Sequence, residues 1–101
     1  MTNQDLLAIA AEYGSPVYVY DAEKIEAQYK RLTSAFSSIK KLRIHYAVKA
    51  LSNISILKFV DKLGSGLDTV SIQEVQLGIK AGVDPSKIIF TPNGVSLEEI
   101  E

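Results

Sequence analysis

Lys49 is the side chain of this sequence with the clearest capacity for covalent chemistry. It follows an apolar, β-prone run, Leu42 to Val48, and precedes the helix-start residues Ser52 and Asn53, in the stretch LRIHYAVKALSN. If Leu42 to Val48 is a strand, alternation places Leu42, Ile44, Tyr46 and Val48 on one face and Arg43, His45, Ala47 and Lys49 on the other. In a parallel barrel the apolar face is covered by helices and the polar face lines the interior, with Lys49 at the carboxyl end, the rim where barrel enzymes carry their chemistry. A half-solvated sheet would show the same split. A desolvated lysine amine can attack a carbonyl carbon and form a Schiff base, and Ala47, two residues earlier on the same face, is small enough to leave room for a flat ring. From spacing alone, a lysine that simply ends a strand in solvent is the commoner case.

Two acids and a histidine could accompany it. Asp68 falls in the middle of a β-prone segment, where aspartate is disfavoured, and a local misfit of this kind points to an active-site position. Ser71-Ile72-Gln73-Glu74 is a complete capping box in which Glu74 reaches back to the Ser71 amide, so a helix cap accounts for this glutamate as readily as a catalytic role does. His45 shares the inward face with Lys49 one layer lower and reads either as a satisfied interior histidine or as a ligand contact. Ser96-x-x-Glu99 is a second capping box and calls for no function.

Other chemistries lack support. There is no GxxxxGK[ST] loop and no GxGxxG, and the segment GSGLDT from Gly64 leads into a strand rather than a helix, which speaks against a dinucleotide site. Nothing resembles a nucleophile elbow. The sequence holds no cysteine, which excludes thiol catalysis and zinc-thiolate sites, and its one histidine cannot build a metal centre. The formal charge of −1, without a basic cluster, removes the footprint of a nucleic-acid binder. There is no apolar run of membrane-spanning length and no signal-peptide order at the N-terminus. The expectation is therefore a cytoplasmic protein with neither nucleic acid nor membrane as partner; the lack of cysteine fits a reducing compartment.

The chain has 101 residues, enough for one domain at most, and its 47% hydrophobic content is that of a globular core. Leu6, Ala10 and Tyr13 predict a short amphipathic helix over Thr2 to Tyr13, ended by Gly14. Ser15-Pro16 breaks the chain, and Val17 to Tyr20, VYVY, predicts a strand. Asp21 is a candidate N-cap for a helix that buries Ile25, Tyr29, Leu32, Phe36 and Ile39. After the Lys49 strand, Ser52 or Asn53 caps a helix through Ile56, Leu57, Val60 and Leu63, stopped by Gly64. Gly66 to Val70 predicts the next strand, and Ser71 opens a helix with Ile72, Val75 and Ile79 inward and Gly82 past its end. The Asp84-Pro85 turn leads to a strand over Lys87 to Thr91, and Ser96 to Glu101 begin a further helix. This alternation predicts an α/β fold with a parallel sheet. Strand starts about twenty to twenty-five residues apart fit a (β/α)8 barrel better than a flavodoxin-like domain. Three such units are less than half a barrel, so the expectation is the N-terminal fragment of a larger protein.

The strings HYAVKALSN, GSGLDTVSIQEV and IIFTPNG, read together with SPVYVYD from Ser15 to Asp21, resemble the fold-type III pyridoxal-phosphate decarboxylases, and most of all their bacterial diaminopimelate branch. The resemblance covers most of the chain, and YAVKA is its specific part. It implies the first part of a TIM barrel of alanine-racemase-like type, preceded by a strand that belongs to a β-domain in the complete family. Residues 1–20 would be the N-terminal helix and that strand, and residues 21–101 the first helix and first three βα units. It implies pyridoxal 5'-phosphate as cofactor, held by Lys49, with Ala47 and His45 as cofactor contacts and Asp68 as a second catalytic residue. The family's glycine-rich phosphate loop, the acid facing the pyridine nitrogen and the β-domain would lie beyond Glu101. The implied reaction removes the carboxylate of an amino acid, giving L-lysine from meso-diaminopimelate, in a homodimeric whole protein whose partner is a small-molecule substrate. Ornithine, arginine and carboxynorspermidine decarboxylases of the same group, a non-catalytic racemase-like carrier, and a βα fragment that only packs are the other readings. Where FTPNGVS stands, many members carry a different polar tetrad, which leaves no firm reading of Asn93 or Gly94.

Overall fold

The computed structural model describes residues 1–101, which divide into two compact units, Met1–Ser37 and Ser38–Glu101. The first holds two helices, α1 (Asn3–Tyr13) and α2 (Ala22–Ala35). Helix α1 starts in a capping box: the Asp5 amide donates to Thr2 Oγ1 at 3.2 Å and the Thr2 amide donates to Asp5 Oδ2 at 2.6 Å. That donated backbone hydrogen bond holds the Asp5 carboxyl below the usual carboxylate range. Gly14 closes the helix at φ 84°, a conformation that a side chain would strain. Asp21 caps α2, accepting from the Lys24 amide at 3.1 Å, as its position predicts.

Two expectations fail in this unit. The strand over Val17–Tyr20 is not formed, because a ladder needs a second strand and the other elements of the unit are helices. The apolar stripe of α2 is not buried either. The helix ends at Ala35, before Phe36 and Ile39, and Leu32, Phe36 and Ile39 are 45%, 45% and 52% exposed. Periodicity marks a face that can be buried, but burial needs a partner.

The second unit is a parallel sheet of β1 (His45–Ala47), β2 (Gly66–Thr69) and β3 (Ile88–Phe90) in that order, with α3 (Ile54–Lys62) and α4 (Ile72–Ala81) in the connections. The strands are shorter than their β-prone runs because only paired residues extend the ladder. In register, Ala47 lies beside Asp68 and Asp68 beside Ile89, while Tyr46, Leu67 and Ile88 form the adjacent row. The second row faces the helices. A Cβ on Gly78 of α4 would stand 2.8 Å from Leu67 Cδ1 and 3.1 Å from Ile88 Cδ1, so a larger residue here would have to push those side-chain tips aside for α4 to sit this close to the sheet. This contact also corrects the expected face of α4. Gly78 is the buried seat, and Ile79, about 100° further round the helix, is 53% exposed.

Val48, Leu57, Val60, Leu67 and Val83 make the core, joined by two buried hydroxyls that find backbone acceptors. Ser65 Oγ donates to the Gly66 carbonyl at 2.8 Å and Thr69 Oγ1 to the Ile89 carbonyl at 2.9 Å. Asn53 and Ser71 cap α3 and α4, and Gly82 closes α4 in the left-handed conformation at φ 89°. Asp84 accepts from the Ser86 amide at 2.8 Å, a bond that lowers its carboxyl pKa and starts the turn Pro85–Lys87. Ser96–Glu101 forms a single short turn, Leu97–Glu99, rather than a longer helix, with the Ser96 amide donating to Glu99 Oε2 at 3.0 Å.

Gly66 is the most tightly enclosed of the glycines in the sheet unit whose surroundings lie within contact. A Cβ there would overlap the Lys87 carbonyl oxygen and stand 2.5 Å from His45 Cδ2. Since backbone cannot swing aside as a side-chain tip can, Gly66→Ala is expected to destabilise the sheet unit by about 1–3 kcal/mol. Urea unfolding followed by circular dichroism measures this, and an unchanged midpoint would contradict the close packing described.

Candidate active site

Strand β1 ends at Ala47, and the chain tightens at once into a 3-10 turn, Val48–Ala50, that carries Lys49. Val48 anchors the turn, its side chain fully buried. The Tyr46 hydroxyl donates to the Leu51 carbonyl at 3.2 Å and ties the far end of the turn back to the strand. Lys49 is therefore held at both ends of its turn, while its own side chain is exposed. The alternation that placed Lys49 on the face of His45 and Ala47 applies only up to Ala47, because a 3-10 turn does not continue a period of two. Its location just past the carboxyl end of β1 is as expected, and the turn packs against β2.

Asp68 emerges on the sheet face opposite the helices, in the row Ala47–Asp68–Ile89. It is half-buried, and its Oδ1 accepts a hydrogen bond from Thr91 Oγ1 at 2.8 Å. His45 sits two residues before Ala47, in register with Gly66, and its ring lies over that glycine. It thus packs one layer below the rim, on the face that Ala47 shares. Glu74 departs from the expected capping box. The Ser71 half forms, with the Glu74 amide donating to Ser71 Oγ at 3.3 Å, but Glu74 Oε2 accepts from the Val70 amide at 2.7 Å rather than from Ser71. Its carboxylate is engaged by the backbone at the junction of β2 and α4, a structural duty.

The structure therefore gathers Ala47, Asp68 and Thr91 at the carboxyl end of one sheet face, and the Lys49 turn follows β1 at that same end of the sheet. An amine, a small neighbour and a hydrogen-bonded carboxylate suit a flat carbonyl compound: the amine for its carbonyl carbon, Ala47 for clearance beside the ring. That donor set fits pyridoxal phosphate. Thr91 escapes a sequence reading because nothing local to β3 announces which residue of β2 it will stand beside.

A family profile described as pyridoxal-dependent decarboxylase, pyridoxal binding domain, matches residues 22–101. The chain belongs to this family. Among curated proteins, it is 48% identical over 89 residues to the diaminopimelate decarboxylase of Helicobacter pylori, a match of 88% of this chain and 22% of that protein. It is 38% identical over 98 residues to that of Methanothermobacter thermautotrophicus, covering 96% and 23%. The crystal structure of the H. pylori enzyme complexed with L-lysine superposes with a TM-score of 0.83 at 39% identity, over 98% of this chain and 24% of that one. The lysine/ornithine decarboxylase of Vibrio vulnificus, complexed with putrescine, gives a TM-score of 0.86 at 25% identity, over 96% and 26%. The chain thus spans about a quarter of the length of these relatives. Its fold, three βα units at the start of an alanine-racemase-like TIM barrel, is that of the family, and the family's chemistry depends on pyridoxal phosphate.

Proposed function

We propose that the whole protein is a pyridoxal-phosphate-dependent decarboxylase that converts meso-diaminopimelate to L-lysine and carbon dioxide. The observation that carries this reading is the position of Lys49, in a tethered turn just past β1 and beside the strand that bears Asp68, within a chain of this family. The relatives named diaminopimelate decarboxylase, at 38% and 48% identity, support the substrate. Residues 21–101 then contribute the first helix and first three βα units of the cofactor-binding barrel, in agreement with the family match at 22–101. Residues 1–20 supply the leading helix and a segment, Val17–Tyr20, that becomes a strand only when a partner strand is beside it.

Bound pyridoxal phosphate would supply an electron sink for the pair released when the carboxylate leaves. Lys49 Nζ would hold the cofactor through its aldehyde carbon and would be the group placed to carry a proton at the reacting carbon. Ala47 keeps clearance beside the ring. Asp68, held at Oδ1 by Thr91, would face the bound group. His45, one layer beneath on the same face, would be a further cofactor contact. The protein acts as a cytoplasmic homodimer on a small amino acid; no helix of the chain is long and apolar enough to cross a membrane.

A second reading, decarboxylation of a shorter diamino acid, is favoured by the similarity to the lysine/ornithine enzyme. Carbon dioxide release from meso-diaminopimelate, L-ornithine and L-arginine by the whole protein with added cofactor separates the readings. Preference for diaminopimelate is expected. Faster release from ornithine or arginine would reassign the substrate, and tight cofactor binding without release from any of the three would leave carboxynorspermidine as substrate or a non-catalytic carrier.

A further inference from the structure

We infer that Thr91 is a positioning residue, whose hydroxyl aims the Asp68 carboxylate at the bound cofactor; this rests on the functional reading above. Thr91 follows β3 directly, and its backbone amide already closes the sheet by donating to the Thr69 carbonyl at 2.8 Å. Its side chain is not needed for that pairing. The hydroxyl proton instead points mainly across to β2, 2.8 Å from Asp68 Oδ1, with the Thr69 carbonyl a longer second acceptor at 3.3 Å. A hydroxyl-to-carboxylate bond is charge-assisted and stronger than a neutral one.

The geometry around the pair gives this bond its purpose. Asp68 lies on the exposed face of the sheet, between Ala47 of β1 and Ile89 of β3 in register, and neither neighbour has a polar side chain. No cation pairs with it: the ion pairs of the chain join Met1 to Asp21, Lys30 to Glu26 and Lys87 to Asp61. A carboxylate so placed has two free side-chain torsions and a single bond holding it. Thr91 therefore selects one rotamer, commits Oδ1 and leaves Oδ2 directed at whatever occupies the face beside the Lys49 turn. The buried hydroxyls nearby, Ser65 and Thr69, donate to backbone carbonyls and have no such reach.

The test is a double-mutant cycle in the whole protein with Thr91→Val, Asp68→Asn and both together, plus Thr91→Ser. Four readouts are followed: the dissociation constant of pyridoxal phosphate, the visible spectrum of the bound cofactor, kcat with KM, and the unfolding midpoint in urea. Thr91→Val is expected to lower kcat by about tenfold, the factor that corresponds to loss of one hydrogen bond to a charged group, with KM changed less and the spectrum of bound cofactor altered. Thr91→Ser, which keeps the hydroxyl, should restore kcat to within about twofold of the parent. In the Asp68→Asn background, Thr91→Val should add little, since the two side chains act as one unit. Additive effects, or a Thr91→Val variant with unchanged kcat and spectrum, would overturn the inference. If the parent protein carries no borohydride-fixable cofactor on Lys49, the functional reading fails by itself. The unfolding cycle then still reads the bond: coupling between Thr91 and Asp68 supports it, and independent midpoints overturn it.

Discussion

Replacing Lys49 with alanine in the whole protein is expected to abolish both the visible absorbance of tightly bound pyridoxal phosphate and nearly all carbon dioxide release. The turn around Lys49 should survive the change, because its shape rests on the buried Val48 side chain and on the Tyr46 hydroxyl bonded to the Leu51 carbonyl. The exposed lysine side chain contributes nothing to that shape. Lys49→Ala thus removes a nucleophile from an intact scaffold. When a covalent catalyst is deleted from an otherwise formed site, turnover falls by several orders of magnitude, on the order of 10³-fold or more. Borohydride reduction followed by peptide mapping provides the direct check. Label on the peptide carrying Lys49 in the parent, and none in the variant, is the expected pattern; cofactor fixed to a different lysine would refute the assignment.

The 101-residue chain by itself is expected to release no carbon dioxide from meso-diaminopimelate when supplied with pyridoxal phosphate. Its sheet runs β1-β2-β3, so the outer edges of β1 and β3 present unpaired backbone groups, and association of chains through those edges is the expected behaviour at high concentration. The face that bears Asp68 is open: Ile89, in the same row, is 44% exposed. The Lys49 amine keeps its hydration, whereas a nucleophilic lysine is made reactive by desolvation. Water on that face would also screen the charges that must stabilise the reacting group. Core packing of Leu57, Val60 and Leu67 can still hold the sheet unit together, so weak and reversible reaction of Lys49 with the aldehyde is the most the chain should show. Turnover on the order of one to ten per second, ordinary for an enzyme, would show that the remaining barrel is not required and that this account of the site is mistaken.

The boundary between what is legible in the sequence and what is not follows the range of the interactions. Elements governed by neighbours a few residues away were readable. Asp21, Asn53 and Ser71 cap helices because a short polar side chain reaches an amide two or three residues on. Gly82 ends α4 because it can take a positive φ, and three β-prone runs separated by helical periods pair in parallel. The location of Lys49 at the end of β1 follows from the same local pattern, and the YAVKA motif supplied the chemical reading that spacing alone left open.

Contacts between distant residues were decided only by the folded chain. Whether the apolar stripe of α2 is buried depends on a partner surface, and Leu32 and Phe36 remain exposed for want of one here. The face that α4 turns to the sheet is set by the clearance at Gly78 against Leu67 and Ile88, which no helical period encodes. Glu74 reaches the Val70 amide rather than that of Ser71, a contact set where β2 passes into α4. Thr91 meets Asp68 through strand register, 23 residues away in sequence. Sequence by itself determined the helix caps, the order of strands and helices in the sheet unit and the family, since each depends on short-range geometry or on a contiguous motif. Tertiary structure alone decided which side chains share the site, because that is set by register and by how closely the backbones can approach.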